Sequence, residues 1–471
     1  MPQRRARVAG SAAQTELAAA LAAARAELDA PAEFPPEALA EAEAAQAPEP
    51  ERDLRDLPFA TLDPAGSRDL DQAFHLARRG DGYTVHYAIA DVPGFVRAGG
   101  AIDAEARRRG QTLYAADGTV PLHPRTLSED RASLLPRVDR PALVWTFELD
   151  ATATVRQTRL ERALIRSRAQ LDYATTQEAI DGGRPGAAEL LPEIGALRLA
   201  QERERGGASL NLPDEEIVQT ADGGYDIERR RPLPVEEWNA QLSLMTGIAA
   251  AALMLDAGVG ILRTMPEPDA EAFATFRLQT RVLGRPWVSG TYGEYLAALD
   301  RSDPLTLPVL QTAAALFRGA GYVAFDGTPP DQTRQAAIGA PYAHVTAPLR
   351  RLVDRWGLSI CLEVAAGRPA PEWARSSLHD LPALMQASGQ RASRLGSMTL
   401  NIVEAALLSS AVGTTLPATV IEVRGERAIV QLADPPVTAT APLPAGARPG
   451  DVVSVTVEST DIATGEVVLA V

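Results

Sequence analysis

The chain has 471 residues, 46% of them apolar, and a formal net charge of −15, which argues against a surface coated for nucleic acid or anionic membrane. One cysteine, Cys361, excludes an intrachain disulfide and a cysteine-cluster metal site. No run of about 18 uncharged apolar residues stands out as a membrane span, and the basic start MPQRRARVAG leads into no signal-type apolar segment, so a cytoplasmic protein without a membrane partner is expected.

Residues 11–28 predict a helix. Ser11 is placed to cap it, Gln14 sits three residues on as in a capping box, and Leu17, Leu21 and Leu28 recur on one face. Residues 36–46 predict a second, short helix, and APEPERD (47–53) a linker. A block of about 50 residues holds little core of its own. A docked helical appendage is therefore expected at 1–55, ahead of a small helix-turn-helix that touches RNA. Residues 57–165 are strand-rich, as in YTVHYAIADV (83–92) and ALVWTFELDA (142–151). Residues 172–410 read mainly as helices, among them 235–255 and 347–367. Strands followed by helices predict an α+β domain over 56–412. Residues 413–471 carry five short strand-like runs with turn residues between them, the pattern of a small OB-type barrel.

The stretch ATLDPAGSRDLDQAF (60–74) crowds Asp63, Asp69 and Asp71 into nine residues. Pro64–Ser67 predict a turn that brings Asp63 back toward the other two. Asp69 and Asp71, two apart, share a face on a strand. Converging carboxylates repel, so a cation must offset them. Arg68 can serve one, but a hard divalent ion suits three oxygen ligands better, and Mg²⁺ prefers a few carboxylates plus water and substrate phosphate. A solvated acidic hairpin is the plainer alternative.

The surrounding sequence resembles the catalytic (RNB) domain of the ribonuclease II/ribonuclease R exoribonucleases. The likeness runs from TLDPAGSRDLDQAF through YAIADVPGF, LIRSRAQLDYATTQEAI, VEEWNAQLSL and ILRTMPEPD to HVTAPLRRLVD, in the family's order, over roughly residues 57–410. The family usually begins with cold-shock-type OB domains; here two helices stand instead, an arrangement similar to a Deinococcus-type ribonuclease II.

The resemblance implies a Mg²⁺-dependent 3′→5′ exoribonuclease, with Mn²⁺ as a substitute, acting on RNA with a free 3′ end and releasing nucleoside 5′-monophosphates. Asp63, Asp69 and Asp71 match three of four metal-site aspartates, and Gln72 takes the fourth. Arg350 matches the arginine at the scissile phosphate, and Arg351 is expected on the RNA backbone. Tyr114 matches a base-stacking tyrosine, and Tyr173 and Glu236 match positions that help select RNA. Leu212 stands where the family has a base-clamping phenylalanine, Leu352 where it has an aromatic after the arginines, and Gly396 near a family glutamate. Gln72 keeps a second reading open, an RNA-binding protein on the same fold with weakened catalysis. A DNA-binding regulator working through the N-terminal helices ranks last, because the first helix has a single arginine inside it. A monomer is expected.

Overall fold

The computed structural model describes residues 11–31, 33–50, 52–207, 210, 214–219, 225–300, 303, 306–444 and 446–471. Two helices lead, α1 (Ser11–Glu27) and α2 (Pro36–Ala44). Their buried residues enter different clusters. Leu17, Leu21 and Ala24 of α1 pack with Leu395, Ile402 and Val403, far along the chain, while Ala42 of α2 joins the packing beneath the sheet. The helices thus dock on the rest of the molecule. The side chain of Ser11 lies outside the described residues.

The strand-rich stretch forms β1 (Arg52–Asp53), β2 (Phe59–Asp63), β3 (Gln72–Arg79) and β4 (Gly82–Ala90). Helices α3 (Val92–Phe95) and α4 (Ala101–Arg109), a hairpin of β5 (Leu113–Ala115) and β6 (Gly118–Val120), and two long strands, β7 (Asp139–Leu149) and β8 (Val155–Asp172), follow. Six of these strands make a mixed sheet in the order β1-β8-β2-β3-β4-β7. The first part of β8 pairs antiparallel with β7 and its last part runs parallel to β2, so the sheet curls back on itself. Phe59, Ala60, Thr61 and Leu62 of β2 are all buried, as expected of a strand covered on both faces. One face packs Phe74, Tyr87, Trp145 and Phe147 against helices; the other packs Phe59, Ala88 and Val144 around Ile102 and Leu349.

The helical stretch begins with α5 (Tyr173–Asp181) and α6 (Leu191–Glu204), then a hairpin of β9 (Asp214–Gln219) and β10 (Tyr225–Arg230), and α7 (Pro234–Ala257). Strand β11 (Val259–Thr264) follows, then α8 (Ala270–Val282), α9 (Tyr292–Ala297) and α10 (Thr306–Ala314), and β12 (Gly321–Asp326), which pairs with β11. After the two-residue strands β13 (Arg334–Gln335) and β14 (Ala340–Pro341) come α11 (Leu352–Ala365), α12 (Glu372–Ser376) and α13 (Leu381–Leu408). Helix α7 is long and apolar enough by length and composition to cross a membrane, which the sequence reading did not register. Its Val235, Leu242, Met245 and Met254 lie instead in the main core. Proline at its first position and Gly258, left-handed at φ +70°, set its ends.

Residues 415–470 form an antiparallel five-stranded sheet of β15 (Thr415–Arg424), β16 (Arg427–Leu432), β17 (Thr438–Pro442), β18 (Val452–Asp461) and β19 (Glu466–Ala470), in the order β17-β16-β15-β18-β19. Val420, Val430, Val455 and Leu469 fill its interior, and Leu408 at the end of α13 plugs into the same cluster.

Two expectations are corrected. Asp69 and Asp71 are not on a strand: β3 begins only at Gln72. The main chain of Leu70 is bonded to Ser133 Oγ and to the amide of Leu134, so a loop rather than a strand holds this stretch extended. The helix expected from residue 347 begins at Leu352. Before it, the amides of Ala347 and Leu349 go to Asp354 and Asp71, and the first amide of the helix, that of Leu352, goes to the carbonyl of Gly110.

Candidate active site

The site forms where β2 and β8, running parallel, end side by side. Asp63 and Asp172 are register partners there. Asp172 caps α5 by accepting from the amide of Thr175 at 2.9 Å, which starts the helix at Tyr173 beside Asp63. From Asp63 the chain turns, with the amide of Ser67 donating to the carbonyl of Pro64, and returns along Asp69 and Asp71 to Gln72.

A second loop closes over this corner. Gly110 ends α4 with φ +75°, a conformation that favours glycine, and Ser388 packs where a Cβ would project. The turn lets residues 110–112 pair with 350–352, the amide of Thr112 donating to the carbonyl of Arg350 and that of Leu352 to Gly110. This pairing sets Arg350 beside Tyr114, whose hydroxyl reaches the guanidinium. Tyr114 is 55% exposed.

Asp71 is buried. Its Oδ1 accepts from the amide of Leu349 at 2.8 Å, and its Oδ2 faces Arg350 Nε at 3.5 Å. Burial pushes its carboxyl well above the usual range, against the pull of Arg350. Burial and then the charge of Asp69 push Asp63 up to about 7, and burial also raises Asp69. Arg350 is the cation that acts on all three.

Among the described residues no three His, Cys, Asp or Glu side chains stand in position to share one ion. The expectation of a ready three-carboxylate ligand set is corrected to this extent: Asp71 is turned toward Leu349 and Arg350. A divalent cation nonetheless fits the residues present. Asp63 Oδ2 is buried with no hydrogen-bond partner, beside a second carboxylate, and burying a charge so placed is costly unless a cation offsets it. Gln72 uses its amide otherwise, donating Nε2 to the carbonyl of Thr346, which leaves only its carbonyl oxygen for a metal.

The remaining expected residues divide. Tyr173 stands at the site, its hydroxyl raised to about 12 by burial and by Asp63 and within reach of Asn239. Glu236 is committed elsewhere: its carboxylate accepts from the amide of Leu233 at 2.8 Å and pairs with Arg230. Arg351 is also committed, with Nε and Nη2 on Asp354 at 2.9 and 2.8 Å. That arrangement fixes the loop and differs from the expected free contact with an RNA backbone. Leu212 lies outside the described residues. Gly396 lies in α13, whose one acid, Glu404, accepts from the amide of Thr438 in the barrel.

Sequence reasoning missed Asn239, Ser243, Thr346 and Tyr87. Ser243 Oγ and Thr346 Oγ1 are 2.7 Å apart, and Tyr87 reaches Ser243. Glu236, Asn239 and Ser243, spaced three and four apart on α7, are a polar stripe that could have flagged the first two. Tyr87, an aromatic in a buried strand, carried no such signal.

A curled mixed sheet, an acidic corner faced by an arginine and a C-terminal five-stranded barrel define a fold of the ribonuclease II type. The RNB domain model matches residues 51–356, and the RNase II-type exonuclease C-terminal S1 domain model matches residues 414–471. The chain belongs to the RNB family. Ribonuclease R of Escherichia coli (strain K12) is 29% identical over 321 residues, covering 64% of this chain and 39% of that protein. The probable exosome complex exonuclease RRP44 of Caenorhabditis elegans is 29% identical over 327 residues, 65% of this chain and 34% of that one. The chain thus spans well under half the length of these curated relatives. The apo form of Mycoplasma genitalium RNase R superimposes with a TM-score of 0.87 at 17% identity, over 97% of this chain and 78% of that one. Yeast Ssd1, a pseudonuclease, does so with a TM-score of 0.70 at 18% identity, over 85% and 52%. At these identities the structural likeness is one of fold.

Proposed function

We propose that this chain hydrolyses RNA from a free 3′ end to nucleoside 5′-monophosphates, with Mg²⁺ at the Asp63–Asp69–Asp71 corner and Mn²⁺ able to replace it. The observation that carries the reading is Arg350, half exposed, facing Asp71 on one side and exposed Tyr114 on the other. A guanidinium there can hold two oxygens of a phosphate and stabilise the charge that grows as the bond breaks. Tyr114 offers a face for a base regardless of its identity, which suits a sequence-tolerant enzyme. In this reading Tyr173, at the same corner, meets a 2′-hydroxyl, the group by which RNA differs from DNA. A divalent cation held at the Asp63–Asp69–Asp71 corner would supply a water of lowered pKa and neutralise phosphate charge. Asp71 keeps the Arg350 loop closed over the corner through Leu349.

Gln72 is the observation behind the second reading, an RNA-binding protein with weakened catalysis, since it withholds a carboxylate from the site. Incubating single-stranded RNA with the protein in Mg²⁺ or in EDTA separates the two. Loss of RNA in Mg²⁺ alone supports hydrolysis. Tight binding without loss in either supports the second reading.

A further inference from the structure

Helix α2, with the segment that joins it to α1, grips α4 at both ends. At the start of α4 the carboxylate of Glu41 accepts from the amides of Ala101 and Ile102. Amides that open a helix have no partner within it, and an acid placed there answers them. Ala42 packs in the same apolar cluster as Ile102. At the far end Asp29 pairs with Arg108 at 3.0 Å, an exposed contact of small worth.

Arg109, the last residue of α4, makes the closer junction. It is 4% exposed. Its Nε donates to Glu105 Oε1 at 2.7 Å, its Nη1 to the carbonyl of Pro121 at 3.0 Å and its Nη2 to the carbonyl of Glu33 at 2.6 Å. The guanidinium carbon lies 3.7 Å from the centroid of the Phe34 ring. Three stretches of chain therefore meet on one planar group: α4, the segment before α2, and the end of the β5–β6 hairpin. A guanidinium presents its donors in a rigid fork, which an ammonium cannot copy.

What Arg109 holds belongs to the acidic corner. Pro121 directly follows β6, at the base of the hairpin on which Tyr114 stands. The same base is pinned by the amide of Leu122, which donates to Thr112 Oγ1 at 3.1 Å. The next residue after Arg109 is Gly110, whose carbonyl takes the amide of Leu352, and Thr112 donates to the carbonyl of Arg350. The N-terminal helices thus reach Tyr114 and Arg350 through Arg109.

We infer that Arg109 is a positioning residue for the corner, and that residues 33–41 are the strap that seats it. Phe34 and the carbonyl of Glu33 lock the guanidinium onto Pro121, and this fixes where Tyr114 and Arg350 stand. The consequence for the reaction rests on the proposed hydrolysis; the seating itself does not.

Hydrogen exchange of the full chain, read by mass spectrometry over segments 110–122 and 349–352 with the barrel as internal control, tests the strap without RNA. Phe34→Leu keeps an apolar side chain and removes the ring face. Exchange in the two segments should rise about three- to thirtyfold, the range a ring–guanidinium contact is worth, with the barrel unchanged. Phe34→Trp keeps a ring face and should exchange like the parent. Arg109→Lys keeps the charge and loses the fork. Its single-turnover hydrolysis at saturating RNA, where weaker binding no longer matters, should fall at least about tenfold, the scale of a misplaced catalytic group. The inference is overturned if Phe34→Leu exchanges like the parent, if the barrel rises with the two segments, if Phe34→Trp rises as far as Phe34→Leu, or if folded Arg109→Lys matches the parent's rate. If Arg109→Lys does not fold, the Phe34 pair decides alone. A parent that leaves RNA intact counts against the proposed function, and the exchange comparison still decides the seating.

Discussion

The main-chain amide of Leu349 donates to Oδ1 of Asp71 at 2.8 Å, across 278 residues of chain. One oxygen of this carboxylate holds the loop that carries Arg350 and the other faces Arg350 itself. Asparagine can keep the first contact and removes the charge. Asp71→Asn should therefore melt with the parent and bind RNA, with hydrolysis reduced more than tenfold. Asp71→Ala loses the loop contact as well and leaves a buried amide unpaired, a cost of about 1–3 kcal/mol, so it should unfold at lower denaturant. Equal denaturation midpoints for the two variants would refute the loop role, and a D71N rate above a tenth of the parent's would refute the chemical one.

Arg350→Ala should lower the rate by about two to three decades, the usual effect of removing a transition-state charge contact. RNA affinity should change little, because one phosphate contact among many is lost. Single-turnover rates and equilibrium binding on the same oligonucleotide decide. Collapsed affinity with normal turnover of the bound complex would make Arg350 a tether.

Gln72 donates to the carbonyl of Thr346. Both Gln72→Ala and Gln72→Asp lose that hydrogen bond, and only the aspartate adds charge at the corner. Hard cations are held largely by charge, so initial rate against Mg²⁺ concentration should reach half-maximum at lower Mg²⁺ for Gln72→Asp than for the parent, and not for Gln72→Ala. Superimposable curves for all three would place residue 72 outside metal binding.

Asp103 of α4 accepts from Arg355 of α11 at 2.6 Å, both nearly fully buried. Burial alone would raise the carboxyl, but Arg355, the amide of Gly99 and Arg107 outweigh it and hold Asp103 below its usual value. A depressed folded pKa gives stability that is present above the unfolded value, about 3.9, and is lost as pH falls through the folded one. Asp103→Asn should cost about 3 kcal/mol near neutrality, the order expected for breaking a buried pair. The gap from the parent in urea midpoint should hold from pH 7 to about 5 and narrow below about 4. A gap that widens on acidification would contradict the pairing.

Much of the architecture could be read from local signals. Alternation marked the five strands of the barrel, proline and serine marked the turn after Asp63, and leucine spacing marked the face of α1. What escaped depended on contacts distant in sequence. Pro348 is compatible with the first turn of a helix, and nothing local reveals that the amides of Ala347, Leu349 and Leu352 are claimed by Asp354, Asp71 and Gly110. The placing of Arg350 as a cation for the aspartates follows from that same loop. Glu236 and Arg351 have charged partners within six residues, Arg230 and Asp354, a competition for their charges that motif matching does not weigh.

The central claim is stepwise hydrolysis from the 3′ end at the Asp71–Arg350 corner. The most direct measurement follows a 5′-labelled single-stranded RNA in Mg²⁺, with the released products identified chromatographically and Asp71→Asn run beside the parent. The account predicts a label that shortens progressively from the 3′ side, release of nucleoside 5′-monophosphates, and a silent variant. Internal fragments, nucleoside 3′-monophosphates, or a variant as active as the parent would contradict it.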